Sequence, residues 1–139
     1  MKVDAIKNGI VLDHIESGKG MEVYNFLKLD ELDCAVAVIR NAYSQKMGKK
    51  DIIKIDADID IDLDVLGYLT PNVTVNFIKN GVNVEKRSIS LPKIVKDVIK
   101  CKNPRCITSI EQGIEHEFHL VDAEKRTYRC IYCEAKASK

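Results

Sequence analysis

Two close pairs of cysteines, separated by 23 residues, constrain this chain more than any other feature of its sequence. The first pair bounds CKNPRC at 101–106 and the second bounds CIYC at 130–133. Four thiolates satisfy the tetrahedral preference of zinc and leave no open position on the ion. The turn-forming pair Asn103-Pro104 can reverse the first loop, which lets its two sulfurs approach one ion. The spacing therefore predicts a closed metal site with the ligands Cys101, Cys106, Cys130 and Cys133.

We predict a metal site rather than disulfides because the sequence indicates a cytoplasmic protein. The start MKVDAIKNG lacks the apolar stretch of a signal peptide, and no apolar run approaches the roughly 18 residues of a membrane span. We therefore expect reduced cysteines and a single zinc ion per chain. The alternatives are a four-sulfur iron site and two unrelated pairs of buried thiols. The wide C-x4-C loop favours zinc over iron.

Other potential ligands are predicted to lie outside the metal shell. His116 and His119 in HEFH read as surface or strand residues, because four thiolates already close the shell. Cys34 lies in the apolar run DCAVAVI and is predicted to be a core residue without a partner. A closed shell has no place for an activated water, so the metal is predicted to be structural.

Short apolar strands and two helices are predicted upstream of the cysteines. MKVDAI and IVLDHI are followed by the strand candidates CAVAVIRNAY, DIIKIDA, VTVNFI and VNVEKRSISL. The dipeptide Asn80-Gly81 between the last two predicts a hairpin turn. Helical spacing of Met21, Tyr24 and Leu27 predicts the first helix. The segment LPKIVKDVIK is interpreted as a link to the cysteine module.

The acidic stretch IDADIDIDLD matches the first ligands of an EF-hand calcium loop at Asp56, Asp58 and Asp60. That pattern next requires a glycine and then a glutamate, where this chain has Ile61 and Gly67. The calcium interpretation is therefore excluded. We instead expect a strand to end near Asp58, and Asp60 or Asp62 to cap a short second helix.

The order β-β-α-β-β-α-β-β indicates an α+β fold. We predict an N-terminal antiparallel sheet with two helices on one face, which is ferredoxin-like. A small C-terminal β zinc-binding domain follows it.

Charge and motifs restrict the function classes. The formal net charge of +1 argues against binding of nucleic acid through overall charge. The alternative function is that of a zinc-ribbon nucleic-acid-binding or adaptor protein. Residues 96–139 carry nine Lys/Arg against seven Asp/Glu, an excess too small to indicate strong binding of nucleic-acid phosphates. No Ser/His/Asp or Cys/His nucleophile arrangement is evident, and the metal lacks an open position, so a non-catalytic role is predicted.

Several segments together resemble one family, the regulatory chain of aspartate carbamoyltransferase, the enzyme at the start of pyrimidine synthesis. They are VDAIKNGIVLDHI, KMGKKDIIKID, TPNVTVNFI, the SLP of SISLPK, and the C-x4-C-x23-C-x2-C module. The resemblance implies a nucleotide-binding allosteric domain at 1–92 and, at 93–139, a zinc domain that docks on the catalytic chain. It further implies a regulatory homodimer, with CTP and UTP as typical inhibitors and ATP as a typical activator. Neither nucleic acid nor a membrane is expected as a partner.

The resemblance also implies a nucleotide site in the first domain. Backbone groups of residues 3–6 would read the base, while Asp13 and Lys54 match family residues at the ribose and base. His14, Asn76 and Lys86 match residues around the phosphates, and Lys50 lies near the same pocket. Lysines suit a triphosphate because they form charge-assisted hydrogen bonds with its oxygens. The implied nucleotide-binding residues are Val3, Asp4, Ala5, Ile6, Asp13, His14, Lys50, Lys54, Asn76 and Lys86.

Overall fold

The chain divides into two units, with the boundary between Ser90 and Leu91, in a computed structural model that describes residues 6–137. The predicted base-reading residues Val3, Asp4 and Ala5 lie outside the described residues. So does most of the strand predicted over MKVDAI. None of the helices within 6–137 is long and apolar enough to cross a membrane.

The described part of the first unit contains five strands and two α-helices. Its elements are β1 (Gly9–Glu16), α1 (Gly20–Phe26), β2 (Val36–Ser44), β3 (Gly48–Ile55), α2 (Leu63–Leu69), β4 (Thr74–Lys79) and β5 (Val82–Ser88). A short 3-10 helix at Leu29–Glu31 follows α1.

The strands form one antiparallel sheet in the order β2-β3-β1-β4-β5. The first four strands and the two helices follow the βαββαβ order, in which β1 lies at the centre and β5 extends one edge. The predicted α+β fold with an antiparallel sheet is thereby confirmed.

Alternation along β3 shows how the sheet separates its two faces. Asp51, Ile53 and Ile55 are fully buried, whereas the residues between them are half-buried. Successive side chains of a strand point to opposite faces, so one face forms the core and the other stays partly open. Helix α1 lies on the core face, because its Gly20 contacts the Asp51 side chain.

Two local predictions in this unit are confirmed. Asn80 and Gly81 have φ values of 52° and 77°, the left-handed geometry that a tight two-residue hairpin requires. Asp62 caps α2, since its Oδ1 accepts hydrogen bonds from the N–H groups of Asp64 at 3.0 Å and Val65 at 3.3 Å.

Two sequence interpretations in this unit are wrong. Strand β3 ends at Ile55 rather than near Asp58. Ile55 pairs with Ile10, and β1 begins only one residue earlier, at Gly9. Because the two strands are antiparallel, the acidic residues from Asp58 onward extend past the start of β1 and have no residues of that strand to pair with. Cys34 is half-buried rather than in the core, because it precedes the start of β2.

The second unit contains a small antiparallel sheet in the order β6-β7-β8. Its elements are β6 (Ile94–Lys96), the single-turn helix α3 (Ile107–Ile110), β7 (Glu117–Asp122) and β8 (Thr127–Cys130). The segment LPKIVKDVIK is therefore not a link, because it supplies β6, in which Val95 pairs with Phe118 of β7. Val95, Phe118 and Tyr128 form the buried interior of this unit.

Candidate metal centre and ligand pocket

The four paired cysteines come together in the second unit. Their Sγ atoms all lie within 4.8 Å of one another. The Sγ atoms of Cys101 and Cys133 are 3.5 Å apart, and those of Cys106 and Cys130 are 3.7 Å apart. A tetrahedral ion with metal–sulfur bonds of about 2.3 Å holds its sulfurs about 3.8 Å apart. The cysteine cluster therefore fits one tetrahedral metal ion.

Two tight turns position these sulfurs. In the first loop, Asn103 accepts hydrogen bonds from Arg105 N at 3.1 Å and from Cys106 N at 3.1 Å, which reverses the chain as its sequence predicts. In the second loop, Glu134 has a φ of 63° and its N–H donates to the Cys130 carbonyl at 2.9 Å. The two turns thus accompany the approach of all four sulfurs to within 4.8 Å of one another.

The surroundings of the cysteines favour thiolates at two positions. A hydrogen bond from the Asn103 side chain, with one from the Ala135 backbone, lowers the pKa of Cys133 to about 6. The Thr108 hydroxyl donates to Cys106 Sγ at 3.1 Å and lowers the pKa of that thiol. Burial instead raises the pKa of Cys101 to about 12. Thiolates are the form that ligates a metal ion.

The two histidines of HEFH make other contacts in this unit. His116 Nδ1 accepts a hydrogen bond from the Cys101 N–H at 3.1 Å, and its backbone N–H donates to Asp97 Oδ1 at 2.9 Å. His119 lies on β7 with its Nε2 atom 3.4 Å from Glu134 Oε1. His116 thus supports the loop that begins at Cys101.

In the first unit, the sheet register aligns three of the predicted nucleotide residues. Val11 of β1 pairs with Lys54 of β3 on one side and with Asn76 of β4 on the other. Asn76 in turn pairs with Lys86 of β5. Directly paired residues point to the same face, and Val11 points away from its buried neighbours Ile10 and Leu12. The four residues Lys54, Val11, Asn76 and Lys86 therefore form one row on the open face, here called the open-face row.

A β-bulge brings a second group of predicted residues together. The register between β1 and β3 shifts between Leu12 and Ile15, and His14 within this interval has a φ of 59°. Asp13 Oδ1 accepts hydrogen bonds from the His14 N–H at 2.7 Å and from Lys50 Nζ at 2.8 Å. His14 Nδ1 lies 3.2 Å from the hydroxyl of Thr74. The bulge thus places Asp13, His14 and Lys50 beside one another.

The Asp13 carboxylate is held in its charged form. Burial raises its pKa, but the hydrogen bonds from Lys50 and the His14 N–H, with the nearby positive charge, lower it overall. The Lys50–Asp13 ion pair is itself only partly exposed. Of the remaining predicted residues, Ile6 is half-buried at the start of the described chain.

Sequence reasoning missed Asp51, which supports this bulge region from the core face. It is fully buried, and its Oδ2 accepts hydrogen bonds from Gly18 N at 3.1 Å and Gly20 N at 2.9 Å. Its Oδ1 accepts one from Asn41 N at 3.0 Å, at a second bulge between β2 and β3. The available signal was an acid at a core position of the alternating run DIIKI. Asp51 thus fixes the turn that follows β1.

Both parts of the chain match known proteins. Residues 1–90 match the family model described as the allosteric domain of the aspartate carbamoyltransferase regulatory chain. Residues 93–139 match the one described as the metal binding domain of that chain.

The relatives are similar over almost their whole length. A protein of Clostridium botulinum (strain Hall) named aspartate carbamoyltransferase regulatory chain is 52% identical over 134 residues, covering 96% of this chain and 92% of that protein. A protein of the same name from Clostridium tetani is 52% identical over 135 residues, covering 96% and 94%. One from Bifidobacterium longum is 47% identical over 137 residues, covering 99% of both.

Proposed function

Because the chain belongs to the family of aspartate carbamoyltransferase regulatory chains, we propose that it controls the enzyme by binding nucleoside triphosphates in its first unit. Chains of this family are non-catalytic subunits with an allosteric and a metal-binding domain. The proposed effectors are CTP and UTP as inhibitors and ATP as an activator of pyrimidine synthesis. The proposed assembly pairs two regulatory chains and attaches each to catalytic chains.

The open-face row is the observation that carries this proposal. It crosses four strands, or about 14 Å at the usual strand spacing, and has a lysine at each end. A long polar ligand suits such a row better than a single small anion does. Lys86 at one end would hold phosphates, and Lys54 at the other would face the ribose and base. Residues 3–6 would complete the base site.

The bulge beside the row supplies the remaining contacts. Asp13 remains ionised and can accept hydrogen bonds from ribose hydroxyls. His14, held near Thr74, would reach the phosphates. Lys50 neutralises Asp13, so the pocket can tolerate an anionic ligand close to that carboxylate.

We propose zinc, one ion per chain, for the cysteine cluster. The four-sulfur geometry suits zinc, and a closed thiolate shell cross-links the second unit without offering a site for catalysis. Beside the ligands, Ile131 and Tyr132 are 36% and 50% exposed, an apolar surface in the turn between two metal-bound residues. This rigid turn would dock on the catalytic chain.

Calorimetric titration of the metal-loaded chain with CTP and ATP tests the nucleotide site. The matched variants are Lys86→Ala and Arg87→Ala, which remove adjacent cations on opposite faces of β5. Lys86→Ala should bind nucleotide at least about tenfold more weakly than the wild type, because it loses a charge-assisted hydrogen bond. The nucleotide affinity of Arg87→Ala should stay within about twofold of the wild-type affinity. Arg87 lies on the other face of β5, and its ion pair with Glu85 is exposed and contributes little to stability. Equal affinities of both variants and the wild type would refute the assignment of Lys86.

The regulatory step is tested in the complex with catalytic chains. An effector shifts the activity only through its unequal affinity for two states, typically by about 1–3 kcal/mol. Lys86→Ala should assemble normally and lose its response to CTP and ATP. If the wild-type chain contains metal but neither it nor the complex binds nucleotide, a zinc-dependent adaptor would be favoured instead.

A further inference from the structure

The chain is anchored to the first unit immediately before the boundary between the two units. Ile89 follows β5, and its N–H donates to the Val73 carbonyl at 2.9 Å. The Ile89 carbonyl accepts a hydrogen bond from Asn72 N at 2.8 Å. Both polar backbone groups of Ile89 are therefore held within the first unit.

The chain is anchored again, in the second unit, three residues later. The hydroxyl of Tyr128 donates to the Pro92 carbonyl at 2.6 Å, and Leu120 N donates to the Lys93 carbonyl at 2.8 Å. The Tyr128 side chain is only 1% exposed and lies in the interior of the second unit. The proline ring also restricts the backbone of Pro92. Tyr128 thus fixes the first part of the second unit to its core.

Only Ser90 and Leu91 lie between the two anchors, here called the hinge pair. Within residues 6–137, no hydrogen bond holds either of them to one of the units. Three Cα–Cα steps connect Ile89 to Pro92, a reach of about 11 Å at most. A connection this short passes on a displacement of one anchor, whereas a long flexible linker would absorb it.

The first anchor is directly connected to the proposed phosphate site. Lys86 lies on β5, three residues before Ile89. Ser88 on the same strand pairs with Thr74, whose hydroxyl lies 3.2 Å from His14 Nδ1. A nucleotide that moves Lys86 or His14 therefore acts on the strand that ends at Ile89.

We infer that Tyr128 is a positioning residue for regulation, because its hydrogen bond to Pro92 limits the part of the connection without hydrogen bonds to the hinge pair. The inference rests on the proposed control by nucleotides. Loss of the Tyr128–Pro92 hydrogen bond would lengthen the segment that no hydrogen bond holds. Nucleotide would still bind, but it would change the activity of the catalytic chains less.

The test uses the complex with catalytic chains and the variant Tyr128→Phe, which removes only the hydroxyl. Tyr43→Phe removes a hydroxyl from a tyrosine that is 79% exposed and serves as the control. Calorimetry gives the affinity for CTP and ATP, metal analysis gives the occupancy, and activity with and without saturating nucleotide gives the response.

The nucleotide affinity of Tyr128→Phe should stay within about twofold of the wild-type affinity. Tyr128 lies in the second unit, whereas the proposed nucleotide-binding residues all lie in the first. Its metal content should be unchanged, and its response to CTP and ATP should fall to less than about half of the wild-type response. Tyr43→Phe should respond like the wild type. A full response by Tyr128→Phe with intact nucleotide binding would overturn this inference and leave the proposed function standing. Absence of nucleotide binding by the wild-type complex would overturn both.

A second variant covers the case in which Tyr128→Phe loses its metal. Inserting two glycines between Ser90 and Leu91 leaves the Tyr128–Pro92 hydrogen bond and the metal ligands in place. It directly lengthens the segment that no hydrogen bond holds, so the response should fall to a similar extent while nucleotide binding is retained. An undiminished response by the insertion variant would overturn the inference.

Discussion

The backbone of Gly20 lies directly against the buried carboxylate of Asp51, with its N–H 2.9 Å from Oδ2. A Cβ atom at Gly20 would lie 2.8 Å from Oδ2 and 3.1 Å from the Asp51 Cβ atom. Because Asp51 also accepts hydrogen bonds from Gly18 and Asn41, this contact ties the start of α1 to two strands of the sheet.

Asp51→Asn should therefore destabilise the first unit. An amide in place of the carboxylate loses the negative charge and directs an NH2 group toward backbone N–H donors, so the free energy of unfolding should fall by about 3 kcal/mol. Urea unfolding followed by circular dichroism measures the change. Asp58→Asn is the control, because Asp58 is exposed, and it should unfold like the wild type. Equal stability of both variants would show that the three hydrogen bonds contribute little.

Gly81→Ala should destabilise the β4–β5 hairpin through its backbone alone. A Cβ atom there would meet nothing within 4 Å, but the φ of 77° is unfavourable for alanine by about 1–2 kcal/mol. Asn80→Gly is the matched substitution in the same turn, and it should not reduce the free energy of unfolding by more than a few tenths of a kcal/mol. Urea unfolding at fixed pH compares the two, and a larger loss for Asn80→Gly would contradict the turn geometry.

The Asp13–Lys50 ion pair should make the first unit sensitive to acid. The pKa of Asp13 is lower in the folded chain than its ordinary value. Its contribution to stability is therefore complete above the unfolded pKa and disappears as the pH falls through the folded pKa, below about pH 4. Asp13→Asn should flatten the dependence of the free energy of unfolding on pH in that range. Glu85→Gln, from an exposed ion pair with Arg87, should leave the curve unchanged.

Cys130→Ser should remove the metal and unfold the second unit while the first keeps its structure. A structural zinc ion contributes on the order of 10 kcal/mol to the folding of small metal domains. Cys34→Ser is the control because Cys34 lies outside the cluster. Metal analysis and amide hydrogen exchange measure the outcome. Full metal occupancy in Cys130→Ser would rule out the four-cysteine site.

Features that depend on neighbouring residues in the sequence were predictable. The hairpin at Asn80-Gly81 and the cap at Asp62 follow from local backbone chemistry, which the rest of the fold does not alter. The spacing of the cysteines likewise predicted their cluster, because each pair needs only a short turn.

Features that depend on a distant partner were not predictable. The end of β3 is set by where β1 begins, and LPKIVKDVIK becomes a strand only because β7 pairs with it. The bulge at His14 and the support from Asp51 depend on pairing between strands, which the sequence of either strand alone does not specify. The proposed nucleotide-binding residues could be named only through the family resemblance.

The order of the four clustered cysteines along the chain has a consequence for biosynthesis. All five strands of the first sheet precede Cys101, whereas 23 residues separate Cys106 from Cys130. At a synthesis rate of about 5–20 residues per second, the first two thiols wait at least about a second for the other two. During that interval the first unit can begin to fold, while the second has only two of its four clustered cysteines. A shortage of metal in the cell should therefore leave chains with a formed first unit and an incomplete second one.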